Sequence, residues 1–249
     1  MPRHTVRVGL SLAALWLISA TARAQSPEPR AVLSISGGVQ SVTGKLSDHF
    51  ETPLNAETET VDVKYSLKPD LLVEAGIGVR LWTHLGAGLA VSRATGTHSA
   101  EIEASIPHPF FFERPRAVSG TEDHIVRNET GVHVQLQYAV RAGRSATLVL
   151  GAGPSWISVE QELVTAIKFD ETFPFDAATF SDAVTTRAKA SAVGYNVGAD
   201  LRWMLTPHVG FGGLVRFTRA TVDLPAHDTG RISVSAGGVQ GTVGLRVGF

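Results

Sequence analysis

The feature that most constrains the fold is a hydrophobic period of two residues that recurs along the chain. In the stretch 71–82, alternate residues are apolar, and the residues between them include glycines, one glutamate and one arginine. The segments 132–141, 193–203 and 239–249 repeat this alternation. Because successive side chains of a strand point to opposite faces, the period predicts strands with one apolar face. We count about eight such strands, each near the roughly 9–11 residues that a tilted strand needs to cross a membrane.

The connections between these predicted strands alternate between short and long. Residues 82–84, 142–145 and 205–208 are predicted to be tight turns, because they contain the Gly, Pro, Ser and Thr residues that turns favour. All the long connections therefore fall at one end of the structure, as in transmembrane β-barrels. The long polar segments, which we expect to be loops, are Ser41–Pro69, His98–His124 and Leu163–Thr186.

Alternation by itself also fits a soluble barrel, whose apolar face points inward. The composition of the two faces favours a transmembrane barrel instead. The polar face consists mainly of Gly, Ala, Ser, Gln and Arg, which suits the narrow interior of a barrel of about eight strands. The apolar face carries Trp203, Phe211 and Phe249 near the short turns, where membrane barrels have aromatic girdles. The predicted fold is all-β, a closed antiparallel transmembrane β-barrel with short periplasmic turns and long outer loops.

The N-terminus has the pattern of a secretory signal peptide. A short basic region is followed by the apolar run Val8–Ala20 and by the small-residue motif at 22–24. We therefore expect a signal peptide at 1–24, removed by cleavage before Gln25, and a single barrel domain at 25–249. The chain contains no cysteine, so neither disulfides nor a cysteine-linked lipid anchor are expected.

Two stretches carry a resemblance to a known family. The segment Gly238–Phe249 resembles the C-terminal recognition signal of bacterial outer-membrane proteins, and residues 200–209 resemble the penultimate turn of small barrels of the opacity-protein and OmpA-like type. The resemblance implies a porin-family type of barrel in the outer membrane, surrounded by outer-membrane lipid and lipopolysaccharide. It also implies insertion by the barrel assembly machinery with periplasmic chaperones, and it marks Phe249 as the assembly signal. Such barrels have diverse functions, so the fold does not define this one.

The first candidate site is a set of charges on the polar face of the predicted strands. A buried charge must be paired or hydrogen-bonded, so these side chains either form a network that plugs the lumen or line a constriction selective for anionic solutes. The predicted lumen charges are Glu74, Arg80, Arg141, Asp200, Arg202, Arg216 and Arg246.

The second candidate site is an apolar run in a predicted outer loop. Exposed apolar runs mark contacts with partners or lipid, although this one could instead fold over the barrel mouth or pack on a neighbouring loop. The residues of this run are Phe110, Phe111 and Phe112.

Catalytic and metal-binding patterns are weak. His98, His108 and His124 fall in one predicted loop, but their spacing matches no metal motif, and we expect no cofactor. His98 and Ser99, with Glu101 nearby, leave a lipid A-modifying enzyme as one alternative.

The net charge of −1 excludes a basic surface for nucleic acid. We predict a non-enzymatic outer-membrane barrel with loops available for interaction, and the other alternative is a narrow channel for small, anionic solutes.

Overall fold

The computed structural model describes residues 29–42, 46–143, 145–226 and 230–249, so the predicted signal peptide and its cleavage site lie outside the described residues. Among these residues, no helix is long and apolar enough to cross a bilayer. The strands are β1 (Ala31–Val42), β2 (Leu46–Leu54), β3 (Glu57–Ser66), β4 (Asp70–Arg80), β5 (Leu85–Ile106), β6 (Arg116–Arg141), β7 (Ala146–Glu171), β8 (Ala178–Met204), β9 (Val209–Pro225) and β10 (Arg231–Gly248).

Eight of these strands close into an antiparallel ring, in the order β1-β4-β5-β6-β7-β8-β9-β10. The ring closes where β1 pairs with β10, with Leu33 opposite Val247 and Gln40 opposite Gln240. The predicted closed antiparallel barrel is therefore confirmed. Closure gives the backbone amides and carbonyls of the ring a partner on both sides of each strand, which a sheet in hydrocarbon requires.

A band of exposed apolar side chains surrounds the ring at the end that carries the short turns. Val197 and Val243, which the alternation places on the apolar face, are 50% and 72% exposed. Trp203 and Phe211 stack on each other at the edge of this band nearest the turns, with ring centroids 6.2 Å apart. An exposed apolar surface of this extent fits hydrocarbon rather than water. We call it the lipid band, and its most exposed members include Ile35, Leu71, Val73, Leu136, Trp156, Val193, Val215 and Leu245.

The prediction that the long segments are loops is wrong for most of their length. β5 continues to Ile106, β7 and β8 form one long hairpin, and β2 and β3 form a further hairpin within the first segment. The alternation persists there with its polarity reversed: Ile102 is buried, whereas Glu101 and Glu103 are exposed. The reversal follows from the surroundings, because the outer face of these strands meets water and the apolar side chains must then point inward.

These strand extensions form an extramembrane head, comprising residues 46–66, 93–130, 157–192, 219–226 and 230–237. Its hydrogen-bonded parts are the sheet β2-β3-β5-β6, which continues into the hairpin β7–β8 where residues 127–130 of β6 pair with 158–161 of β7, and the hairpin β9–β10. Farther from the ring, side-chain packing holds β8 against β6: the ring of Phe180 on β8 covers Gly120 on β6, where a β-carbon would come within 2.2 Å of that ring. The head core includes Leu46, Phe50, Val61, Val63, Ile102, Ile125, Val159, Leu163, Val222, Leu224 and Val234.

The reversal of polarity predicts that arginine is tolerated on the outer face only above the lipid band. Val243 and Thr221 both point outward, but Val243 lies in the lipid band and Thr221 lies in the head. We expect Val243→Arg to lower the free energy of unfolding by about 2–4 kcal/mol, because the charge enters hydrocarbon. Thr221→Arg should lower it by less than about 1 kcal/mol, since the side chain remains in water. Urea titration in lipid vesicles measures both values.

A third variant checks the inner face of the head. Val222, the neighbour of Thr221, is fully buried in the head core. Val222→Arg should therefore be much more destabilising than Thr221→Arg, because it buries an unpaired charge. Equal losses for Val243→Arg and Thr221→Arg, or a harmless Val222→Arg, would contradict the assignment of the two faces.

Candidate functional site

Buried polar side chains fill the lumen of the membrane-spanning ring. Glu74 of β4 forms an ion pair with Arg216 of β9, and both side chains are buried. Arg216 Nε donates a hydrogen bond of 2.7 Å to Gln240 Oε1. Gln240 Nε2 in turn donates one of 2.6 Å to Gln40 Oε1. This chain of contacts joins non-adjacent strands across the lumen, so the charges are neutralised inside the ring.

A second cluster centres on the carboxylate of Asp200. It accepts hydrogen bonds of 2.7 Å from Arg202 Nε and 2.8 Å from Arg246 Nη2. Arg246 Nη1 also donates to Ser36 Oγ at 2.8 Å. Two guanidinium groups thus share one carboxylate, and the surplus positive charge faces hydroxyl and amide oxygens. The structure brings five predicted lumen charges together around one cavity of about 40 Å³: Glu74, Asp200, Arg202, Arg216 and Arg246.

The other two predicted lumen charges lie nearer the turns. Arg80 borders a second cavity, of about 90 Å³, whose lining includes His84 and Met204. Arg141 is exposed at the last residue of β6. Both residues stand at strand ends next to the short turns, Arg80 at the end of β4 and Arg141 at the end of β6.

Sequence reasoning missed a polar layer between the lumen and the head core. Arg127 is fully buried and donates to Gln161 Oε1 at 2.7 Å and to Glu129 Oε2 at 3.2 Å. Glu129 Oε1 also accepts from Gln40 Nε2 and from the Gly237 amide, both at 2.9 Å. We call Arg127, Glu129 and Gln161 the septum. The alternation could have identified two of them, because residues 127 and 129 continue the odd-numbered, inward-facing positions of the predicted strand that begins after Gly131.

The sequence also missed a buried pair formed by Asp70 and His98. The Lys68 amide donates to His98 Nδ1 at 3.0 Å, which leaves the ring proton on Nε2, 3.1 Å from Asp70 Oδ1. Ser99 points away from the lumen, because neighbouring residues of a strand face opposite sides. The side chains of His98 and Ser99, adjacent in the sequence, therefore lie on opposite faces of β5. Within the described ranges, no group of three or more His, Asp or Glu side chains could hold a metal ion.

The outer surface of the head carries exposed ion pairs of the kind found on soluble proteins. Lys168 Nζ donates to Asp182 at 2.7 Å, and this hydrogen bond lowers the pKa of the Asp182 carboxyl. His49 lies 2.9 Å from Asp62, whose hydrogen bond raises the pKa of the imidazole. Such exposed pairs contribute little to stability, but they show that this surface is suited to water.

The predicted apolar run lies at the far end of the head, in the loop 107–115 between β5 and β6. It meets the loop 172–177 between β7 and β8, where the rings of Phe110 and Phe175 are 5.5 Å apart. Phe175 is half-buried, whereas the other phenylalanines are exposed by 53–85%. We call this group the aromatic tip: Phe110, Phe111, Phe112, Phe173 and Phe175.

Removing one partner of the buried lumen pair should strongly destabilise the ring. Glu74→Ala leaves the Arg216 guanidinium buried without its carboxylate, and we expect a loss of about 3–5 kcal/mol in the free energy of unfolding. The double variant Glu74→Ala/Arg216→Ala should lose less than the two single losses combined, because no uncompensated charge remains. The matched control is the exposed head pair Lys64–Glu103, at 3.2 Å, whose variants should lose about 1 kcal/mol or less. Additive losses at Glu74 and Arg216 in urea titrations would refute this coupling.

Comparison with known proteins finds similarity in structure only. No protein-family model and no curated relative matches the chain. Among solved structures, Neisserial surface protein A is 11% identical, with 88% of this chain and 96% of that chain covered and a TM-score of 0.44. The outer membrane protease OmpT from Escherichia coli is 10% identical, with 92% and 99% covered and a TM-score of 0.47. Ail, the attachment invasion locus protein of Yersinia pestis, is 12% identical, with 89% and 99% covered and a TM-score of 0.38. The closed ring of eight strands, with its lipid band and polar lumen, gives this chain the fold of the small outer-membrane β-barrel proteins.

Proposed function

We propose that the chain is a non-enzymatic surface component of the outer membrane, anchored by the ring and making its contacts through the head. The observation that carries this proposal is that side chains fill the interior at each level. Ion pairs occupy the membrane-spanning lumen, the septum lies above them, and the head core closes the outer end. A filled interior is compatible with a membrane anchor, whereas a transporter needs a continuous path through the barrel.

A narrow anion channel is the alternative, since arginines line both lumen cavities. Cavities of about 40 and 90 Å³ hold only a few water molecules each. An anion passing outward would have to separate Glu74 from Arg216 and then cross the septum and the apolar head core. Each step exposes buried charge or brings charge into apolar surroundings, which opposes conduction.

A lipid A-modifying enzyme receives less support. Nucleophilic catalysis needs a base within hydrogen-bond reach of the nucleophile. His98 is buried beside Asp70, and Ser99 and Glu101 lie on the opposite face of β5. The features that suggested this chemistry in the sequence are thus separated by the strand.

The short turns lie in the periplasm and the head lies outside the cell in this proposal, following the orientation of outer-membrane barrels. Outer-membrane lipid and lipopolysaccharide then contact the lipid band. The barrel assembly machinery and periplasmic chaperones deliver the chain, and Phe249 serves as the assembly signal. Phe249 is 70% exposed at the end of the lipid band nearest the turns, and its amide donates to the Ala31 carbonyl at 2.9 Å, where the ring closes.

The filled interior predicts an absence of conductance. The refolded protein should produce no stepwise current in planar lipid bilayers at neutral pH, because the septum and the head core obstruct the lumen among the described residues. A porin of known conductance, added to the same bilayer, verifies the measurement. Reproducible unit steps from the purified protein, with selectivity for anions, would establish the channel and reject the anchor.

Phe249 should matter for assembly more than other aromatic residues of the same girdle. Phe249→Ala should lower the amount of folded protein in the outer membrane severalfold. Phe211→Ala, which removes another exposed girdle ring, should leave most of it. Immunoblots of outer-membrane fractions, with unboiled samples to detect folded barrel, measure both. Equal abundance of the two variants would show that Phe249 acts only as one more lipid-facing ring.

A further inference from the structure

The aromatic tip is held in place by two buried polar side chains. Arg116 donates hydrogen bonds to the Pro107 carbonyl at 2.9 Å and to the Phe175 carbonyl at 3.0 Å, so it joins the two loops, and it also pairs with Glu171. His108 Nδ1 accepts from the amides of Phe110 and Phe111 at 3.1 and 3.2 Å. The loops are therefore ordered before any partner arrives, which removes part of the entropy loss on binding.

Two residues of the tip loops have a left-handed backbone conformation. Glu113 and Phe175 have φ values of 56° and 70°, and neither is a glycine. Left-handed conformations are unfavourable for such residues, and strain of this kind clusters at sites with a function. The conformation so maintained leaves Phe110, Phe112 and Phe173 exposed by 69%, 70% and 85%. Large apolar side chains held in water in this way mark an interaction surface.

The chemistry of the tip favours lipid over a protein partner. Binding hot spots on proteins are enriched in Trp, Tyr and Arg, which combine apolar area with hydrogen-bonding groups. The exposed rings here are all phenylalanine, so they demand apolar surroundings and no particular geometry from the partner. Arg114, whose guanidinium carbon lies 5.3 Å from the Phe111 ring centroid, is balanced by Glu113 and Asp176 in the same loops. The tip therefore lacks the positive charge that selects anionic lipids.

The membrane in which the ring sits is out of reach of the tip. The lipid band reaches Leu71 of β4, which lies opposite Thr95 of β5, and β5 continues from there to Ile106. At about 3.3 Å per residue this is roughly 40 Å of strand, or on the order of 30 Å of height for a tilted strand. A bilayer contacted by the tip must consequently belong to another cell or vesicle.

We infer that the aromatic tip inserts into the apolar interface of an opposing phospholipid bilayer, and that zwitterionic lipid is sufficient for this. The inference rests on the proposed function, because it requires the head to project away from the cell. Phe110, Phe112 and Phe173 supply the inserted area, while Arg116 and His108 hold the two loops in the inserting conformation.

The test uses the protein in nanodiscs and vesicles of pure phosphatidylcholine. The wild type should float with the vesicles, and binding should change little between low and high salt. Each of Phe110→Ser, Phe112→Ser and Phe173→Ser should weaken binding by about tenfold, and the triple variant should abolish it. Val184→Ser is the matched control, because Val184 is an exposed apolar residue of the head away from the tip, and it should bind like the wild type. Mobility of unboiled samples in SDS gels verifies that each variant is folded.

Three outcomes would overturn the inference. The first is that the wild type fails to float with phosphatidylcholine vesicles. The second is that the folded triple variant floats as the wild type does. The third is tip-dependent pairing of nanodiscs without vesicle binding, which would assign the tip to a second copy of the chain. Each of these results would leave the proposed surface role intact, since that role is judged separately by the conductance measurement.

Discussion

The change of surroundings along each long strand is the constraint on which the rest of the structure depends. The outward side chains of β5 are apolar as far as Val91 and polar from Arg93 onward, while the backbone continues without interruption. Apolar side chains point outward below this level and inward above it. The same strands therefore build a membrane barrel with a polar lumen and a head with an apolar core. The septum lies where the two interiors meet, and Glu129 there accepts hydrogen bonds from Gln40 Nε2 and from the Gly237 amide.

The interior of the ring depends on the pairing of opposite charges in a space with little water. Glu74 neutralises Arg216, and Asp200 is shared by Arg202 and Arg246. Such groups are costly to bury singly and acceptable when paired and hydrogen-bonded. The pairs also bind together strands that are not neighbours in the ring, so the lumen network is a structural support as well as a plug. The surface role proposed for the chain follows from this filled interior.

Much of the ring could be predicted from the sequence, whereas the head could not. Val197 and Val243 occur in runs where apolar residues alternate with small or polar ones. A period of two in such runs predicts a β-strand with one apolar face. The head segments also alternate, as Ala100, Ile102 and Ala104 do with Glu101 and Glu103, but their many Ser, Thr and charged residues suggested loops. The partner of each lumen charge was also beyond prediction, because Glu74 and Arg216 are 142 residues apart. Their meeting depends on the register of the closed ring, which no local pattern encodes.

The continuity of the strands from the ring into the head has a mechanical consequence. A force applied to the outer end of the head is transmitted along β5, β6, β7 and β8, because these strands continue without a break into the membrane-spanning ring. The load is then directed along the strands, so many backbone hydrogen bonds resist sliding at once instead of opening one after another. A head joined to the ring by flexible linkers would lose this advantage. Under such a force, an attachment made at the outer end of the head would therefore dissociate before the protein itself unfolded.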